Sequence, residues 1–260
     1  MHNNQQEKLS KVPEITLAFW LIKIIATTLG ETGGDAVTMS MGLGYATGSV
    51  IFFGIFVVAV AGQILSASFL PLLYWTTIVA TTTVGTTMAD FVDRSLDIGY
   101  AGGSALLVVL LAATLGLWRW SERSVAVETV ATPRTEMFYW GTILFSQTLG
   151  TALGDWMADT NGTGYEIGAL LFGLALGLVA LVWFCTGVSR TLLFWCAFIL
   201  TRPLGATLGD LLDKPLADGG LAFDRYVASA VLIVLILVLV LALPHRASRH
   251  PAAPAEPPGG

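Results

Sequence analysis

FWLIKIIATTLGETGGD, from Phe19 to Asp35, decides the fold, because it returns three more times without a gap. The other copies are YWTTIVATTTVGTTMAD from Tyr74 to Asp90, YWGTILFSQTLGTALGD from Tyr139 to Asp155, and FWCAFILTRPLGATLGD from Phe194 to Asp210. Each opens on an aromatic pair ending in Trp (Trp20, Trp75, Trp140, Trp195), carries Gly ten residues on (Gly30, Gly85, Gly150, Gly205), and closes on Asp at fifteen. Nine residues beyond each Asp stands another glycine (Gly44, Gly99, Gly164, Gly219), and a second apolar run follows. Self-similarity at a fixed period marks one supersecondary unit copied along the chain. Trp-to-Trp steps of 55, 65 and 55 residues place an extra ten between the second and third copies, in the charged stretch Arg119 to Glu136.

The 260 residues are 55% apolar and 12% charged, which leaves too little polar surface for a water-soluble globule of this size. Apolar runs long enough to cross about 30 Å of hydrocarbon keep returning. Four are largely free of charge: Ala46 to Leu65, Leu72 to Ala89, Tyr100 to Trp118 and Tyr226 to Leu243. Four others carry isolated polar residues, where function is expected: Leu17 to Gly34, Met137 to Gly154, Tyr165 to Phe184 and Thr191 to Gly209. Lipid selects helices or closed barrels, and strand-length alternation is absent. The expected fold is therefore all-α, a polytopic membrane bundle of about eight transmembrane helices from four parallel two-helix repeats.

The expected segments are a cytoplasmic tail (1–14), repeat one (15–66), repeat two (67–120), a cytoplasmic linker (121–136), repeat three (137–186), repeat four (187–244) and a cytoplasmic tail (245–260). The Pro- and Ala-rich end, Pro251 to Gly260, reads as disordered. Polar residues at the start and a full-length first span read as a retained helix, not a cleaved signal peptide. Cys185 and Cys196 form no ligand spacing and read as small core residues. With two helices per unit, every copy enters the membrane with the same orientation. Eight basic residues (Lys8, Lys11, Arg119, Arg123, Arg134, Arg190, Arg246, Arg249) share the side of the termini, against Arg94, Lys214 and Arg225 opposite, which puts both termini in the cytoplasm. Each Trp then anchors the cytoplasmic interface, and each Asp lies roughly 22 Å away toward the outer face.

Positions four apart share a helix face, and from each Asp they trace a polar stripe. The stripes read Lys23, Thr27, Glu31, Asp35; then Thr82, Thr86, Asp90; then Gln147, Thr151, Asp155; and finally Arg202, Ala206, Asp210. Such faces are costly against hydrocarbon, so they are expected to turn inward and line a path. Small residues beside them permit close helix approach, whether as packing or as loosened backbone whose carbonyls also face the axis. Four Asp residues imply a ring or two pairs of carboxylates; the bland alternative makes each a helix cap or a contact to the next unit. Within the spans, five acids (Glu31, Asp35, Asp90, Asp155, Asp210) face two bases (Lys23, Arg202), leaving three carboxylates for a cation to balance. These five acids are the candidate metal ligands, with Glu31 and Asp35 the leading pair. Oxygen donors without histidine suit a proton, Mg²⁺, Mn²⁺ or Ca²⁺. Lys23 and Arg202 are either counter-charges for proton-coupled exchange, snorkelling side chains, or partners that steady a carboxylate. Asp93, Asp97, Asp159, Asp213, Glu166, Asp218 and Asp224 read as a solvated acidic loop surface, or at most as an acidic outer vestibule whose charge concentrates cations.

The four registered Trp-to-Asp units resemble a family of bacterial membrane-anchored proteins with four tandem repeats of unknown function, each with two membrane segments and a characteristic Trp. The resemblance covers roughly Pro13 to Leu243. It implies a multi-pass protein of the bacterial inner membrane and no particular activity. The fourth copy departs from the others at Arg202-Pro203 and lacks the Gly-Tyr of Gly44-Tyr45, Gly99-Tyr100 and Gly164-Tyr165. A specialised role for that copy is therefore expected.

The functional expectation is a transporter or exporter of a small cation through a carboxylate-lined path, with pseudo-fourfold or two-by-two symmetry. The other class is a non-transporting scaffold or sensor whose Asp residues serve helix packing. No Ser/His/Asp set, histidine metal motif or phosphate loop supports an enzyme, and no basic aromatic tract supports nucleic-acid binding. The expected partners are the lipid bilayer and the cation or proton, with no cofactor.

Overall fold

The structure, a computed structural model, describes residues 10–96, 98–160 and 164–248. Asp97, the side chain of Asp159 and the segment Pro251 to Gly260 lie outside the described residues. Among those described are eight α-helices: α1 (Leu17–Asp35), α2 (Gly44–Leu65), α3 (Pro71–Asp90), α4 (Gly99–Glu122), α5 (Pro133–Asp155), α6 (Gly164–Cys185), α7 (Arg190–Asp213) and α8 (Arg225–Ala242). Local signals set the starts. Thr16 and Ser189 accept from the backbone N–H groups of Phe19 and Leu192, and Thr132 forms a reciprocal cap with Thr135 ahead of Pro133.

After Asp35, Asp90 and Asp155 the chain continues through one π-helical turn (Ala36–Ser40, Phe91–Ser95, Trp156–Thr160). It then reverses at Gly44, Gly99 and Gly164, whose φ values of +76°, +73° and +75° explain the repeated glycine, since a side chain there is strained. The fourth copy lacks the π-helical turn, since α7 runs on to Asp213 and stops ahead of Lys214-Pro215, but its glycine, Gly219, keeps a φ of +86°.

The first helices of the repeats form a closed inner ring, α1 against α3, α3 against α5, α5 against α7, and α7 back against α1. The second helices cover this ring displaced by one unit: α2 packs on α3, α4 on α5, α6 on α7 and α8 on α1. Their outward faces are apolar and exposed, as at Val58, Val109, Leu174 and Leu241. Five helices, α2, α4, α6, α7 and α8, are long and apolar enough to cross a membrane. α1, α3 and α5 are less apolar because their threonines and charged groups are buried inside the ring.

At the Trp end, Phe19, Tyr74, Tyr139 and Phe194 are buried, and each ring meets the Trp of the next copy, with centroids 5.5 Å (Phe19–Trp75), 5.7 Å (Tyr74–Trp140), 6.3 Å (Tyr139–Trp195) and 5.7 Å (Phe194–Trp20) apart. The tyrosine hydroxyls of Tyr74 and Tyr139 lie 2.7 Å apart. Trp75, Trp140 and Trp195 are thus buried in an aromatic plug, a correction to their reading as interface anchors; tight ring closure leaves them no outer face. Cys185 is likewise exposed at the end of α6, not a core residue, because the outer helices bury little of themselves.

Below the plug three chain segments meet. Pro13 and Ala247 form an isolated antiparallel bridge, the N–H of Lys11 donates to the Val130 carbonyl at 2.9 Å, and the Ser10 hydroxyl donates to the Val127 carbonyl at 2.8 Å. Lys11 donates to Glu136 at 2.6 Å and to the Gln63 carbonyl at 3.1 Å, joining this strap to α5 and to the end of α2.

Glycine lets the ring close. Gly30 faces Thr82, Gly85 faces Gln147, Gly150 faces Arg202 and Gly205 faces Thr27, always the residue seven places after the next Trp. An added methyl at Gly205 would come within 2.9 Å of the Thr27 backbone carbon, and one at Gly85 within 3.0 Å of Gln147 backbone. Replacing Gly85 or Gly205 with Ala is expected to cost about 1–3 kcal/mol through overpacking. Gly173→Ala, which meets open space within α6, should instead be neutral to stabilising, by up to about 1 kcal/mol, in the same unfolding assay.

Candidate functional site

The stripes become layers on the axis of the ring. Above the aromatic plug come Lys23, Ile78, Ile143 and Phe198; then Thr27, Thr82, Gln147 and Arg202; then Glu31, Thr86, Thr151 and Ala206; and last Asp35, Asp90, Asp155 and Asp210. All sixteen are buried. Every candidate path residue lies in this column because the contact between +10 glycine and +7 neighbour repeats from helix to helix.

Arg202 ties the middle layers together. Its Nη2 donates to Glu31 Oε2 at 2.9 Å and to Thr151 Oγ1 at 2.6 Å, and it also donates to Thr86 Oγ1. Thr86 in turn reaches the Gly30 carbonyl at 3.1 Å. Four inner helices therefore converge on one guanidinium and its carboxylate.

The Asp layer divides into two pairs. Lys214 bridges Asp35 and Asp210, the second contact being 3.1 Å, and Arg225 adds a contact of 3.6 Å to Asp35. Arg94 bridges the other pair, 2.9 Å from Asp90 and 3.5 Å from Asp155. The helices are fourfold in arrangement, whereas the charges are two-by-two. The three unpaired carboxylates of the sequence count are corrected here: Arg94, Lys214 and Arg225 fold back from the loops as counter-charges. Burial lowers the Lys214 pKa, but Asp210, Asp35 and Asp213 outweigh it and hold the ammonium above the ordinary lysine range.

Two loop acids also depart from the solvated surface. Asp213 is buried and accepts from Arg225 Nε at 2.8 Å, and Asp93 is buried against Gly103. Glu166, Asp218 and Asp224 are exposed. The cations were detectable in principle, since Asp90 to Arg94 and Asp210 to Lys214 are four-residue spacings that favour ion pairs on a helix. Arg225 left no local signal.

One oxygen each from Glu31, Asp35 and Asp210 falls within a span of 4.8 Å, a set able to hold a hard cation. Asp35 Oδ1 has no hydrogen-bond partner. Asp90 and Asp155 are apart from this set and share Arg94.

The sequence pattern described as Repeat of Unknown Function (DUF347) matches residues 18–69, 73–124, 138–189 and 193–249. The chain belongs to this family. No curated protein and no solved structure matches it. Each family repeat corresponds to one inner helix and the outer helix that covers its neighbour.

Two outcomes follow. Arg202→Met leaves Glu31 buried without its partner and should cost about 3–5 kcal/mol. Adding Glu31→Gln should recover a large part of it, giving a coupling of more than about 1 kcal/mol in a double-mutant cycle. Separately, burial pushes the Asp93 carboxyl up to about 6, against the pull of Arg94. The folded state then holds a proton that the unfolded chain, with a normal carboxylate pKa of about 3.9, has released. Stability should fall as pH rises from about 4 to 6 through this group, and Asp93→Asn should flatten that part of the profile.

Proposed function

We propose that the protein is a multi-pass transporter or exporter of a small cation in the bacterial inner membrane, with all eight helices spanning and both termini cytoplasmic. The single observation that carries this reading is the Glu31, Asp35 and Asp210 cluster, whose oxygens lie within 4.8 Å on the axis of a ring otherwise closed by packing. Buried ionisable groups in a membrane are expensive and mark ion pathways.

On this reading Arg202 and Lys214 stand in for the transported cation. An incoming ion at the triad competes with the Lys214 ammonium for Asp35 and Asp210 and with the Arg202 guanidinium for Glu31. Displaced, the Lys214 side chain returns to the loop from which it came. The aromatic plug and its strap close the opposite end, so passage requires their opening. Inner-membrane placement and sidedness rest on the family resemblance and on eight basic residues against three.

The second reading, a non-transporting scaffold, has its own support: Asp35, Asp90, Asp155 and Asp210 all contact protein cations, so packing alone accounts for them. Ion flux in proteoliposomes separates the two. With protons, Mg²⁺, Mn²⁺ and Ca²⁺ offered in turn, the intact chain should carry one of them. Glu31→Gln and Asp35→Asn, if still monodisperse, should slow it by about tenfold or more, the equivalent of ~1.4 kcal/mol at the barrier. Absence of flux for every cation in the intact protein moves the assignment to the scaffold.

A further inference from the structure

We propose that the ring also holds one small anion on its axis, between Lys23, Thr82, Gln147 and Arg202. This site is distinct from the carboxylate triad and nearer the aromatic plug. Among the described residues these four side chains are fully buried, and each has polar atoms without a hydrogen-bond partner: Lys23 Nζ, Thr82 Oγ1, both amide atoms of Gln147, and Arg202 Nε.

They belong to one place. Thr82, Gln147 and Arg202 occupy the same position in three successive copies, packed against Gly30, Gly85 and Gly150. Lys23 stands one turn below, its Nζ 4.2 Å from the ring centroid of Phe198, which itself precedes Arg202 by one turn of α7. The unpartnered groups are rich in donors: the ammonium, the guanidinium Nε–H, the amide NH₂ and a hydroxyl. Leaving that many buried donors empty costs far more than a cation–π contact of about 2 kcal/mol returns.

Charge makes the occupant an anion. With Lys23 held as its ammonium by the bound ion, two basic groups, Lys23 and Arg202, meet one carboxylate in these layers, Glu31, which Arg202 Nη2 already occupies at 2.9 Å. Glu31 lies eight residues up the helix from Lys23, roughly 12 Å along the axis, and the Asp layer is roughly 6 Å farther. No carboxylate therefore reaches the ammonium. A monovalent ion neutralises the excess. The neighbouring positions are filled by buried Ile78, Ile143 and Phe198, so the ion is of the size of chloride, nitrate or formate.

The test uses the full chain in detergent, with chloride, nitrate or formate replacing gluconate at constant ionic strength while thermal unfolding is followed. Gluconate is too large for the site. A specific site leaves the Tm flat at low anion and then raises it logarithmically, by about 3–5 °C per tenfold anion above half-saturation. Lys23→Met should abolish the response. Gln147→Glu supplies a tethered carboxylate, so its Tm in gluconate should rise and its anion dependence vanish; it decides the matter where Lys23→Met fails to fold. Asp35→Asn should keep the full anion response, so that loss of the cation reading and loss of this one are separable. A wild-type Tm indifferent to all three anions overturns the proposal in favour of buried water around a neutral lysine. A response that survives in Gln147→Glu and Lys23→Met overturns it by placing the ion elsewhere.

Discussion

The close crossing of successive inner helices at Gly30, Gly85, Gly150 and Gly205 is the constraint on which the bundle depends. Without a side chain at those positions, the backbone of one helix meets the +7 residue of the next directly. Four such crossings turn through a full circle, and α7 returns to α1. The same rotation that seats each glycine turns the polar stripe inward, so packing geometry and burial of the charged column are one event. Dispersion at these close contacts helps hold the helices together.

A symmetric frame carries an asymmetric charge pattern. The aromatic and Asp layers keep the repeat faithfully, whereas Lys23, Glu31, Gln147 and Arg202 each occur in a single copy. Copy four also loses the π-helical turn, and its helix extends to bring Lys214 over Asp35 and Asp210 on the side away from the plug. Divergence is thus concentrated where copies one and four meet. That seam holds the carboxylate triad of Glu31, Asp35 and Asp210 and the Arg202–Glu31 pair, while the opposite side settles its charge with Arg94 alone.

Much of this was legible in the sequence, for identifiable reasons. Exact spacing from Trp to Gly to Asp fixed the repeat, and four-residue steps fixed which polar residues share a face. Both are local properties of a helix. What covers what is not local: nothing in the chain says that α2 shields α3 instead of α1, because an apolar outer helix fits any neighbour. Burial of Trp75, Trp140 and Trp195 followed from ring closure, which a single helix cannot reveal. Counting charges only within apolar runs hid Arg94, Lys214 and Arg225, long side chains that reach back from beyond the helix end.

The one-unit displacement of the outer helices makes the number of copies matter. A lone two-helix unit cannot shield itself, since its outer helix belongs to its successor and its inner helix waits for its predecessor. Two or three units in a row leave the same defect at each end. Four units closed in a ring remove it, because α8 of the last copy covers α1 of the first. The pairing of Pro13 with Ala247 joins the segments that lead into the first inner helix and out of the last outer one.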